Sequence, residues 1–157
     1  MENHLALLRR CVALSWLARQ GGNTPFGALL ADSEGRILLE QGNIELTEKV
    51  CTGHAETALM AAASRLYDKA FLWTCTLYTT VEPCAMCTGA AYWGNVGRIV
   101  YALDEHRLAE LTGDSEVNPT LALPCREVLA RGRKPVAVLG PFSDLEDEVV
   151  EAHRGYW

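Results

Sequence analysis

Four side chains in this 157-residue chain have the types and spacing to do chemistry: His54, Glu56, Cys84 and Cys87. Cys84 and Cys87 lie three apart in Pro83-Cys84-Ala85-Met86-Cys87, which puts both on one side of a helix. Pro83 suits the first turn of that helix. A helix N-terminus carries partial positive charge and unpaired N–H groups, so thiolate is favoured there over thiol. Thiolate and imidazole are good zinc ligands, and His54 can supply the third. The expected cofactor is therefore one Zn2+ per chain. Three protein ligands leave a fourth position for water, whose pKa zinc can bring towards about 7. Two thiolates donate charge and blunt that effect, so a neighbouring base becomes useful. Glu56 does not share a helical face with His54 and is expected to reach the water rather than the metal. It can take a proton from that water and return it to a leaving group.

The elements that must position these groups alternate between helix and strand. Leu5, Leu8, Val12 and 14–17 recur at helical spacing until Gly21-Gly22 stops them. Residues 26–31 and 36–40 flank Asp32-Ser33-Glu34-Gly35 as a hairpin. Helices are expected over 54–66 and 84–93, and strands over 74–80 and 98–103. Beyond Leu103 come helix at 104–111, a loop, a helical turn or two at 124–130, a strand at 136–139 and a final helix at 145–153. A connection that long, with helix in it, allows a crossover between parallel strands. The expected fold is α/β: a three-layer α/β/α sandwich on a mixed five-stranded sheet, as a single domain over residues 1–157.

His54-Ala55-Glu56 followed by Pro83-Cys84-Ala85-Met86-Cys87 resembles the H-x-E…P-C-x-x-C signature of the cytidine/deoxycytidylate deaminase superfamily. Pro25-Phe26-Gly27-Ala28, Asn43, the run 76–80 and Glu82-Pro83-Cys84 are similar to the branch with a parallel last strand. That branch holds bacterial guanine deaminase, fungal cytosine deaminase and tRNA adenosine deaminase. The resemblance covers about Thr24 to Leu103 and implies a cytidine deaminase-like fold and a homodimer paired through its metal-bearing helices. It implies substrate contacts at Asn43, Phe26, Ala55 and Trp93. Asn43 is otherwise a turn residue, and Phe26 and Trp93 are otherwise core. Gly53 departs from the slightly larger residue usual in the family, which can widen the pocket or change a backbone contact. The chain ends on Tyr156-Trp157, expected to cap the base across its own site or a partner's, or else to dock on the surface. Asp104 and Glu146 are candidates for a second proton-handling acid. Glu82 is expected to accept backbone N–H groups near a helix start.

The expected reaction is hydrolytic deamination of a free nucleobase or related amino-heterocycle. Guanine leads, with cytosine, isoguanine and aminotriazines next. The net charge of −6, and an acid-rich stretch without a base over 143–151, weigh against nucleic acid and so against a tRNA adenosine deaminase. A third reading is a non-catalytic binding module in which Cys51 completes a closed four-ligand zinc site. Cys11, Cys75 and Cys125 read as buried apolar residues. His4, His106 and His153 read as surface or core histidines. No apolar run approaches the roughly 20 residues of a membrane span, and Met1-Glu2-Asn3-His4 is unlike a signal peptide, so a cytoplasmic protein is expected.

Overall fold

In a computed structural model of the chain, residues 3–113 and 115–157 are described. Met1 and Glu2, part of the N-terminal stretch discussed above, lie outside them. The chain runs α1 (His4–Gln20), β1 (Gly27–Ala31), β2 (Ile37–Gly42), α2 (Glu45–Glu48), α3 (Ala55–Leu66), α4 (Lys69–Trp73) and β3 (Thr76–Val81). It continues α5 (Ala85–Gly94), β4 (Arg98–Leu103), α6 (Glu105–Thr112), α7 (Cys125–Ala130), β5 (Ala137–Leu139) and α8 (Glu146–His153). The sheet order is β2-β1-β3-β4-β5. β1 pairs antiparallel with β2 and β3, whereas β3–β4 and β4–β5 are parallel. The long α6–α7 connection is the crossover that the sequence suggested. Sequence reading missed α2 and α4, which are too short to show an apolar period.

Side-chain alternation on the strands divides the core in two. Leu29, Ala31, Tyr78, Val100 and Ala102 face α1, α6 and α8. Ala28, Leu30, Leu77 and Ile99 face α3, α4, α5 and α7. These are the two outer layers of the expected sandwich. Cys11, Cys75 and Cys125 are buried. Among the described residues no helix is long and apolar enough to cross a membrane.

Two local features aim the chain at the site. Asp32 Oδ1 closes the hairpin by accepting from Glu34 N and Arg36 N, so β2 returns along β1 and delivers Asn43 beside Phe26. Asn43 N then donates to Phe26 O at 3.1 Å. Gly27 lets α1 press onto β1. A Cβ there would stand 2.4 Å from Cys11 O and 2.7 Å from Ser15 N.

Candidate active site

His54 and Cys84 are the N-cap residues of α3 and α5, both in extended backbone, and Cys87 is one turn further into α5. The two helices pack side by side behind the sheet, so their N-termini converge. His54 Nδ1 lies 3.5 Å from Cys84 Sγ and 3.6 Å from Cys87 Sγ. All three ligand atoms fall within 4.8 Å of one another. Thr57 Oγ1, one turn along α3, donates to Cys87 Sγ at 3.2 Å and orients it. The Cys87 thiol, by donating to Cys84, holds the Cys84 pKa down to about 4, and His54 adds to this. Cys87 itself is pushed up, chiefly by the same bond and by burial. Two adjacent thiolates repel, so this pair takes its second negative charge only with a cation between them. The donor set therefore fits zinc, with one ligand position open.

Glu56 is 5% exposed at the first turn of α3. Burial raises its pKa, and a hydrogen bond from Thr79 Oγ1 opposes the shift. It shares a cavity of about 50 Å³ with Phe26, Asn43, Glu45, His54, Val81, Glu82, Cys84, Leu108 and Asn118. An outer chamber of about 300 Å³ shares Glu45, His54, Glu82, Cys84, Leu108 and Asn118, and is closed on one side by 117–121. Glu82 accepts from Glu105 N (3.1 Å) and Cys125 N (2.8 Å). It does hold helix starts, as expected, but those of α6 and α7 rather than its own.

Phe26 and Asn43 thus line the same cavity as His54, Cys84 and Glu56. Within one chain the other expected site residues lie outside the two chambers. Trp93 is 74% exposed and meets the Tyr92 ring edge-on. α5 turns Cys87, Thr88 and Ala91 inward, and a residue two beyond Ala91 must face outward. Ala55 is fully buried and lines neither chamber. Asp104 caps α6 through Arg107 N, and Glu146 pairs with the Arg107 guanidinium at 2.9 Å. Both border a different cavity from the one that holds Glu56. Cys51 is exposed and outside the ligand cluster. His106 is exposed, and His4 Nδ1 meets the Tyr78 hydroxyl at 2.8 Å. Sequence reasoning missed Glu45, Leu108 and Asn118, which no motif spacing marks.

Tyr156 and Trp157 line neither chamber and stand behind its wall instead. Trp157 lies 6.2 Å from the Phe26 ring, and His153 meets Phe26 edge-on at 5.2 Å. The Trp157 indole donates to His153 Nδ1 at 3.0 Å. Neutral His153 then carries its proton on Nε2, which is buried without a partner. Burial, and then Arg19, hold the His153 pKa down to about 4. An unfolded histidine titrates near ~6.5, so the unfolded chain binds more protons between the two values. Stability from this group is complete above that upper value and is lost as pH falls through the window, by about 3 kcal/mol in all. His153→Asn keeps an acceptor for Trp157 and should flatten the fall of Tm between about pH 6.5 and 4. Parallel Tm curves for the two proteins would remove His153 as its source.

The family model described as cytidine and deoxycytidylate deaminase zinc-binding region matches residues 1–103. The chain is 35% identical over 156 residues to "Probable cytosine deaminase" of Schizosaccharomyces pombe, covering 99% of this chain and 93% of that one. It is 36% identical over 109 residues to guanine deaminase of Bacillus subtilis, covering 69% of each. The solved guanine deaminase of Nitrosomonas europaea superposes with a TM-score of 0.75 at 22% identity, over 99% of this chain and 85% of that one, a likeness of fold. The matched region contains the convergent His54, Cys84 and Cys87 as well as Glu56, and the chain belongs to the zinc-binding cytidine and deoxycytidylate deaminase family.

Proposed function

We propose that this protein hydrolyses the exocyclic amine of a free nucleobase or related amino-heterocycle, releasing ammonia and leaving a carbonyl. Guanine is the first candidate, followed by cytosine, isoguanine and aminotriazines. The observation that carries this reading is the shared cavity, in which Glu56 and two metal ligands stand beside Phe26 and Asn43. His54, Cys84 and Cys87 would hold zinc, which would supply Lewis acidity to the attacking water near neutral pH. Glu56 accepts the proton of the attacking water and delivers it to the ring nitrogen next to the reacting carbon; it then takes the second proton from the hydroxyl of the tetrahedral adduct and gives it to the amine, which leaves as ammonia as the carbonyl forms. Its buried carboxyl, held up in pKa, suits a group that must both take and give a proton. Phe26 offers a face for stacking. Asn43 Oδ1 is committed to Glu45 N, so its Nδ2 is the donor left for a substrate acceptor.

Three things favour a small base over tRNA. The chambers are lined by Glu45, Glu56, Glu82 and Glu105 without a lysine or arginine. The chain's net charge is −6. A relative similar over 99% of this chain is named for cytosine deamination. A homodimer would use the outer stripe of α5, where Trp93 is exposed and Gly89 faces open space. The test is ammonia release by the zinc-loaded protein from guanine, cytosine, isoguanine, adenine, guanosine and cytidine, with an inosine-forming assay on tRNA alongside. Turnover of a free base is the expected result. Inosine formation with no turnover of any base would give the site to tRNA.

A further inference from the structure

The carboxylates around the cavity are committed to different degrees. Glu82 gives both oxygens to backbone N–H groups. Glu56 gives one to Thr79, and Glu105 accepts from the backbone of Leu123. Glu45 borders both chambers, yet its one side-chain bond among the described residues is long, from Asn43 Nδ2 to Oε1 at 3.4 Å. Its Oε2 accepts nothing there.

The backbone of Glu45 is nevertheless fixed. Its N–H donates to Asn43 Oδ1 at 3.0 Å, and its carbonyl accepts from Val50 N at 3.1 Å. Gly53 packs directly against it: a Cβ at 53 would lie 2.8 Å from both Glu45 N and Cα. The missing side chain at 53 is what lets the 45–53 turn close onto the site. Asn43 Nδ2 and the Glu45 carboxylate then stand side by side, a donor next to an acceptor.

We infer that Glu45 reads a ring N–H adjacent to the substrate acceptor bound by Asn43, so that the site takes free bases and rejects ring-N-substituted ones, nucleosides included. The inference rests on the nucleobase reading and names its substrate class. An ionised carboxylate only accepts hydrogen bonds. A methyl or ribosyl group on that nitrogen removes the donor and strips water from the charge without replacing it. Sites built to bind an N–H reject analogues lacking it by up to about 10⁴-fold. Glu45 keeps some solvent contact, so a preference of about 10²-fold is expected.

The experiment compares kcat/KM of the zinc-loaded protein for cytosine against 1-methylcytosine, and for guanine against 1-methylguanine and 9-methylguanine. Calorimetric binding of the same compounds to zinc-loaded Glu56→Gln runs in parallel. Wild type should favour the parent base over at least one methylated form by about 10²-fold in either readout. Glu45→Ala should shrink that ratio below about tenfold by losing the parent alone, and Glu45→Gln, which can still accept, should restore part of it. A Glu45→Ala variant that weakens parent and methylated forms equally has lost structure rather than recognition, and overturns the inference. Equal acceptance of both forms by wild type overturns it too, as does the absence of both turnover and binding. Glu45-dependent binding without turnover would uphold it and overturn the deaminase reading instead.

Discussion

Glu56→Gln should lower kcat by about 10²–10⁴-fold while zinc stays at one per chain. The loss belongs towards the upper end, because one carboxylate handles the proton of the water, the ring nitrogen and the leaving amine. Gln keeps the size and can still pair with Thr79, but it cannot exchange a proton at neutral pH. Wild type should also show an acid limb that the variant lacks. The ionised form is the base that accepts the water's proton, so the rate falls as pH drops through the Glu56 pKa, which burial raises. Stability has the opposite sensitivity. A buried carboxyl with a raised pKa prefers its neutral form in the folded protein, so ionisation costs stability as pH rises through it. The metal-free Glu56→Gln protein should therefore melt no lower than metal-free wild type at neutral pH. Activity within about tenfold of wild type would take Glu56 out of the proton path.

Cys87→Ala should empty the zinc site, whereas Cys51→Ala should leave it filled, as measured by elemental analysis after gel filtration. Cys87 is fully buried, aligned by Thr57 and within reach of His54 and Cys84. Cys51 is exposed and absent from the cluster. A ligand at about 100 times its Kd stabilises by about 2.7 kcal/mol. For a chain of this size that is a Tm difference of about 5–10 °C between loaded and chelated wild type. The difference should vanish in Cys87→Ala and persist in Cys51→Ala. Zinc lost from Cys51→Ala and retained in Cys87→Ala would instead establish a closed structural centre and leave no open position for catalysis.

The strands and long helices were legible because each buries one face, and burial imposes a period of 2 or 3.6 on the sequence. β4 falls where its apolar run predicts, and α3 and α5 lie within a residue of expectation. α2 and α4 were not legible, since four or five residues are too few to show a period. The parallel pairing of β3, β4 and β5 followed from connection length, which excludes hairpins there.

The sequence by itself determined the metal-binding cluster and the family. Ligands must sit at helix starts at a fixed spacing to share one metal, so His54, Glu56, Cys84 and Cys87 announce themselves within two short stretches. It also determined that Phe26 and Asn43 lie together, because a hairpin joins them. Only the tertiary structure decided which groups wall the cavity. Glu45 enters it because Gly53 leaves room, Leu108 and Asn118 because α6 and the loop after it fold across the mouth, and Glu82 because it holds the starts of two later helices. Trp93 leaves it, and Tyr156 and Trp157 stop behind Phe26. Metal ligation is written in local spacing, but a pocket wall is made of residues brought together from segments distant in the chain, and no local pattern encodes which of their faces will meet.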